Sequence, residues 1–268
     1  MQCQHTELLG ANCLACGTFL SASGPAMAEA ELRFQPRVSI KDMSQGMYAH
    51  QGTNRLFHPA SPYVLYRRLL VDWVCETAEQ IRLHPITAHA AVALMDTLLA
   101  TQEVDKPKLQ LMAVCCLLVA AKFEEVDDRA PSLSLLFAKC NRKFSIAQLR
   151  TTELNVLQQL NWELKSSTPM HFILHFVSQG VIFPSDTIDS HPATSAVVRY
   201  VRKYAEFFAD LCLQEYDFQK YSSGLLACAC IAAARSVLKV EPAWSADLEQ
   251  MTEIKVSEVT STLNHVLQ

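Results

Sequence analysis

Leu111-Met112-Ala113-Val114-Cys115-Cys116-Leu117-Leu118-Val119-Ala120-Ala121-Lys122-Phe123-Glu124-Glu125 is the stretch that decides the fold class of this chain. Its first eleven residues are all apolar, whereas a membrane span needs about 20. Nothing in the run breaks a helix, and no face of the helix it predicts is polar. Such a helix is stable in water only when other helices surround it. One cation, Lys122, ends the run and suits the negative end of the helix dipole. The reading is therefore an all-α protein with this helix at its centre.

Working outward, the neighbouring helices can be placed. Pro62 to Ile81 puts Val64, Leu65, Leu69, Leu70, Trp73, Val74, Ala78 and Ile81 on a broad stripe at helical spacing. His84-Pro85 breaks the chain and starts a second helix, reaching about Ala100. Asp105-Lys106-Pro107 opens the central one. A short fourth helix is expected near Ser132 to Ala138. The fifth runs from Ser145, an N-cap with Gln148 at the capping-box position, to Leu160. The pattern then recurs, with helices expected at Pro169 to Ser178, Pro192 to Leu211, Ser222 to Val240, Ala243 to Met251 and Lys255 to Leu267.

Cys228-Ala229-Cys230-Ile231-Ala232-Ala233-Ala234-Arg235 can be laid beside Cys115 to Lys122, and each stretch sits third in its set of five. The chain thus reads as two tandem five-helix repeats, 61–166 and 167–268. Residues 1–60, rich in small residues and without sustained periodicity, read as a largely disordered extension with a short helix around Lys41 to His50.

With 268 residues, 50% of them hydrophobic, the chain can bury one sizeable core or two. A net charge of −4 and a pI near 6.1 supply no bulk attraction to nucleic acid or anionic lipid. The N-terminus lacks the basic start and apolar stretch of a signal peptide, so the expectation is a soluble, intracellular protein. No glycine occurs between Gly52 and Gly180. That excludes phosphate-cradling loops and nucleophile elbows from the middle of the chain, because each needs glycine where backbone meets ligand or turns sharply. Among the ten cysteines, Cys115, Cys116, Cys228 and Cys230 lie inside apolar helical runs and read as inert, reduced thiols.

Candidate chemistry is sparse. Cys3, His5, Cys13 and Cys16 include one pair at zinc-ligand spacing, but four lone ligands in an extension make a poor case, and no metal site is assigned. His171 and His175 lie four apart on one helix face, yet Phe172 follows His171 where a hydrolytic zinc helix carries glutamate. Glu124, Glu125, Asp127 and Asp128 lack the alternation and glycine of a calcium loop. No enzyme and no cofactor is expected. Arg67, embedded in an apolar helix, needs a mate, and Asp96 on the second helix reads as its structural salt-bridge partner. Lys122 admits two readings, a helix cap or a binding residue. Glu153 either pairs with it or joins it in gripping a partner.

These residues carry a likeness. Tyr66 to Val74 resembles the Met-Arg-x-Ile-Leu-x-Asp-Trp-Leu segment that opens the box of the cyclin family. Leu117 to Glu125 resembles the ending of that box's central helix, Leu-Ala-x-Lys-[Phe/Tyr]-Glu-Glu. Glu153, eight residues before Asn161-Trp162, matches the second signature acid. In the second half, His171-Phe172-Ile173, Lys203 to Phe208 and Leu213 to Phe218 are similar to the J-type branch of the family.

The resemblance implies a regulatory subunit that binds and activates a cyclin-dependent protein kinase of the PSTAIRE type, in the service of cell-cycle control, with the nucleus, and the cytoplasm beside it, as its location. Lys122, Phe123, Glu124, Glu125 and Glu153 would meet the kinase. A substrate-docking patch would comprise Tyr66, Leu69, Leu70, Trp73 and Gln110, with Tyr66 departing from the usual methionine. Two alternatives stand beside this one: a scaffold that keeps the fold without activating a kinase, and a DNA-binding factor of the general initiation type. The net charge and the intact Lys122 and Glu153 argue against the second.

Overall fold

Ser145 shows how locally the helix boundaries are written. Its hydroxyl accepts a hydrogen bond from the Gln148 N–H at 3.1 Å, and the Gln148 side chain accepts one from the Ser145 N–H at 2.7 Å. Serines 132, 222 and 245 cap three further helices through their side chains, each satisfying a donor that the first turn leaves free. The structure, a computed structural model, describes Gln45, Met47, Tyr48 and residues 62–101, 104–140 and 143–267.

The first half contains α1 (Pro62–Gln80), α2 (Pro85–Thr101), α3 (Lys106–Glu124), α4 (Leu133–Lys139) and α5 (Ile146–Gln159). The second contains α6 (Pro169–Gln179), α7 (Val198–Gln214), α8 (Ser223–Val237), α9 (Ala246–Thr252) and α10 (Val256–Val266). In the first half α1, α2 and α5 pack around α3; in the second α6, α7 and α10 pack around α8. Every residue of α3 from Met112 to Ala121 is buried, as is nearly all of α8 from Gly224 to Arg235. Full burial of a Leu or Ile side chain stabilises by about 1.5–3 kcal/mol, so each central helix anchors its own core. No helix among the described residues is long and apolar enough to cross a membrane.

The region expected as a helix from Pro192 begins instead at Val198. Before it, β1 (Thr187–Ile188) pairs antiparallel with β2 (His191–Pro192) and with β3 (Val240–Glu241). Asp189 and Ser190 form the two-residue turn between β1 and β2, both at positive φ (47° and 67°), the conformation that matches strand twist in a tight hairpin. Arg235 holds this sheet to the end of α8. It bonds both oxygens of Asp186, at 2.9 and 2.7 Å, with both side chains out of solvent, and three backbone carbonyls.

Polar links tie the halves together. Arg67 donates to the carbonyls of Leu213 and Gln214 at 2.9 and 3.3 Å. Arg68 pairs with Glu215 at 3.0 Å, and buried His89 bonds Asp210 at 2.9 Å. Gln45, Met47 and Tyr48, within the stretch expected as extension, are helical. The Tyr48 hydroxyl donates to the Thr252 carbonyl at 2.8 Å and its ring lies 5.0 Å from that of Phe172. Gly224 permits this approach, since a Cβ there would meet the Tyr48 ring at 2.5 Å. The rest of that stretch, with Cys3, His5, Cys13 and Cys16, lies outside the described residues.

Candidate partner-binding site

The core face of α3 ends at Ala121, and the helix runs on to Glu124. Side chains beyond Ala121 therefore leave the core, each in its own direction. Lys122 emerges toward α5, where the Ser145 capping box has set the phase that buries Leu149 and Val156 and places Glu153 between them. The Lys122 ammonium lies 2.6 Å from Glu153 Oε1. Its side chain is 50% exposed against 14% for Glu153. The carboxylate is thus held from below while the ammonium keeps two of its three donors for a visitor.

Around this pair the surface is apolar. Val119, Lys122, Phe123, Glu153, Leu157 and Leu164 line a cleft of about 150 Å³. Phe123, in that cleft, is 47% exposed; elsewhere in the first half Leu154 is 48% and Trp162 63% exposed. A charge pair beside an exposed phenylalanine and a small apolar cleft is the composition of an interface core with a polar anchor. Leu154 and Trp162 were not singled out from the sequence. A usable signal was present, since Asn161-Trp162-Glu163 puts an indole just past a helix end with no apolar neighbour at helical spacing to cover it.

The two glutamates that follow Phe123 turn the other way. Glu125 Oε1 accepts hydrogen bonds from the His84 N–H at 2.5 Å and the Thr87 hydroxyl at 2.6 Å, so it caps the start of α2. Glu124 Oε1 lies 3.4 Å from His171 Nε2 on α6. Of the residues expected to meet a partner, Phe123 is exposed, while Glu124 and Glu125 are half-buried and bonded within the molecule. Lys122 and Phe123 face outward, whereas Glu124 and Glu125 brace the tip of α3 against α6 and α2. His171 also bonds Thr168 at the start of α6, which accounts for its position without a metal. No group of three or more metal-ligating side chains occurs among the described residues. Burial pushes the Cys75 and Cys115 thiols up to about 12 and those of Cys116 and Cys228 upward as well, and a hydrogen bond with Cys212, with burial, raises that of Cys230, so none is a ready nucleophile.

Arg67 and Asp96 meet in a buried two-point pair, Nε to Oδ1 at 2.9 Å and Nη2 to Oδ2 at 3.0 Å. Tyr63 completes the cluster by donating to Asp96 Oδ1 at 2.6 Å, and burial, with Asp96 beside it, raises its phenol well above the usual range. The residues of the expected docking patch divide. Leu69 is 67% exposed, and Leu65, one turn earlier and not expected, is 72% exposed. Leu70 belongs to the core, Trp73 packs partly against it, and Tyr66 lies under the Lys106 ammonium at 4.3 Å. Gln110 accepts a hydrogen bond from Lys143 at 3.2 Å.

The family model for the cyclin N-terminal domain matches residues 50–165, and that for the cyclin C-terminal domain matches residues 167–268. The chain belongs to the cyclin family. Among its relatives, Cyclin-J of Xenopus laevis is 32% identical over 72% of this chain and 52% of that protein. Cyclin-J-like protein of Mus musculus is 28% identical over 79% and 57%, and Cyclin-D of Ostreococcus tauri 30% over 85% and 63%. This cyclin thus spans about half to two-thirds of the length of these three relatives. Among solved structures, the viral cyclin from Herpesvirus saimiri superimposes with a TM-score of 0.64 at 17% identity, over 85% of this chain and 93% of that one. A chain of the yeast RNA Pol II CTD kinase CTDK-1 complex gives 0.58 at 12%, over 85% and 70%. These likenesses establish the cyclin fold, and the site described above lies entirely within its first half.

Proposed function

We propose that this cyclin is the regulatory subunit of a cyclin-dependent serine/threonine protein kinase and acts on it through the outward tip of α3. The observation that carries the reading is the Lys122–Glu153 pair, half exposed and fixed in place beside a small apolar cleft. Names of the structural neighbours support it, since two are kinase complexes, the yeast CTDK-1 complex and the CAK complex from Chaetomium thermophilum.

The physical logic is a shift between two kinase states. A kinase is active when the glutamate of its regulatory helix reaches the ATP-site lysine. A subunit that binds the helix only in that inward position favours the active state by its differential affinity. Lys122 and Glu153 supply charge-assisted hydrogen bonds to the helix or its approach, and Phe123, with Leu154 and Trp162, supplies apolar contact. Glu124 and Glu125 hold the tip in position without touching the partner. The cyclin does no chemistry itself. A PSTAIRE-type kinase, a cell-cycle role, nuclear action and substrate recruitment past Leu65 and Leu69 complete the proposal.

Co-purification with cyclin-dependent kinases, followed by a histone kinase assay, tests it. Lys122→Ala combined with Glu153→Ala is expected to abolish activation while the cyclin stays folded. A double variant that activates as well as wild type rejects the proposed contact. Failure to recover any kinase rejects the regulatory reading itself.

A further inference from the structure

The α7 helix is apolar on two faces, and the molecule uses only one. Val201, Ala205, Phe208, Ala209 and Cys212 are buried in the second core. A second stripe runs alongside, roughly 110° around the helix by the 100° advance per residue. It consists of Tyr200, Tyr204, Phe207 and Leu211, which are 44%, 38%, 53% and 44% exposed. Their spacing of four, three and four keeps them on one line about 16 Å long at 1.5 Å per residue. The repeat does not demand such a stripe. Its counterpart α2, second in the first half, has no exposed large apolar side chain among its described residues.

The charges on and beside this helix identify what the stripe fits. Its acids have partners within the molecule: Glu206 binds Arg202 at 2.7 Å, Asp210 binds His89 at 2.9 Å, and Glu215, just past the helix, binds Arg68 at 3.0 Å. Two exposed cations near its start have no acidic partner among the described residues. The Arg199 guanidinium stacks 4.7 Å from the Tyr200 ring centroid and donates to the Tyr200 hydroxyl, and neither it nor Lys203 pairs with a carboxylate among the described residues. At the start of the stripe, beside Tyr200 and Tyr204, the uncompensated charge is therefore positive, on a chain whose net charge is −4; toward Leu211 the flank carries Asp210, whose partner is a histidine.

We infer that the outer face of α7 docks an acidic amphipathic segment of a partner protein. Its apolar side chains, spaced three or four residues apart, lie along Tyr200, Tyr204, Phe207 and Leu211, and its carboxylates meet Lys203 and Arg199. The inference does not rest on the kinase-regulatory reading, because it uses no residue of the α3 tip.

A display library of helix-forming peptides, panned against the full chain and counter-selected against the folded Phe207→Ser variant, tests it. The expected survivors carry more Asp and Glu than Lys and Arg, with apolar residues at helical spacing. One of them, synthesised and measured by fluorescence anisotropy, is expected to lose at least about tenfold in affinity to Phe207→Ser and to Lys203→Glu. It should also weaken with added salt. Both positions are exposed, so thermal unfolding of the variants should match wild type. Neutral or basic survivors, no survivors, or binding indifferent to both substitutions would overturn the inference. So would a wild-type dimer in light scattering that Phe207→Ser converts to monomer, since a second copy would then be the occupant.

Discussion

Lys122 and Arg235 occupy the same place in the two halves, the last turn of a buried central helix, and the molecule uses them in opposite ways. Arg235 is wholly enclosed, and each of its five N–H donors has an acceptor: two Asp186 oxygens and the carbonyls of Val181, Pro242 and Ala243. Lys122 is half exposed and, among the described residues, bonded to Glu153 alone. A planar guanidinium can close a network of carbonyls and a carboxylate; a compact ammonium on a flexible stem keeps donors to spare. The comparison teaches that a duplicated fold can retain a cation at one position while one copy serves the structure and the other stays open to a partner.

The comparison breaks most visibly at Arg235. Arg235→Ala leaves Asp186 buried without its counter-charge, and removing one partner of such a pair costs about 3–5 kcal/mol. For a protein of this size that lowers the melting temperature by on the order of 10 °C, measurable by circular dichroism. Iodoacetamide labelling read peptide by peptide localises the damage: Cys228 and Cys230, buried on α8, should become reactive well before Cys115 and Cys116 on α3. Equal loss of protection at all four would mean that the halves do not open separately.

A reciprocal exchange comes next in size. Arg235→Lys cannot bridge both Asp186 oxygens and three carbonyls, and a cost of about 2 kcal/mol follows from the unpaired acceptors. Lys122→Arg, at a half-exposed pair, should change stability by under about 1 kcal/mol. Urea titration of the two variants should show this asymmetry, and two equal shifts would sink the comparison.

Glu125→Gln tests the inward half of the α3 tip. A neutral amide keeps the size of the side chain and weakens its bonds to the His84 N–H and the Thr87 hydroxyl, costing about 1 kcal/mol, as the loss of a helix cap does. In the kinase assay it should reduce activation less than Lys122→Ala does. The reverse order would return Glu125 to the contact surface.

Much of this was legible in the sequence because the signals are local. An apolar run with no polar face can only be a surrounded helix, and the Ser145–Gln148 pair marks a boundary within four residues. The signature residues around Lys122 were equally readable. What could not be read is where equivalent side chains turn. Nothing in Phe123-Glu124-Glu125 distinguishes an outward phenylalanine from inward glutamates, because the acceptors' partners, His84, Thr87 and His171, lie about 40 residues away in either direction. The hairpin of Thr187 to Pro192 was missed for the same reason. Its strands are two residues long, too short for a period, and exist because Val240–Glu241 and the Arg235–Asp186 pair arrive from elsewhere.

The smallest effect concerns pH, and it also divides the halves. His175, on α6 in the second half, is partly buried against Phe176, and that burial lowers its pKa below the usual 6.5. The folded state therefore resists protonation that the unfolded chain accepts. Below about pH 6.5 the unfolded state binds more protons, so stability rises with pH through that window and is fully present above it. Other histidines titrate nearby, so the informative quantity is the difference between wild type and His175→Gln. Denaturant midpoints at pH 7.5 and 5.5 should show wild type losing ground to the variant only at the lower pH. Because His175 keeps contact with solvent, the change should be small, and the Lys122–Glu153 pair in the first half should be unaffected. A difference that stays constant across the two pH values would mean that the His175 ring is no harder to protonate in the folded chain than in the unfolded one.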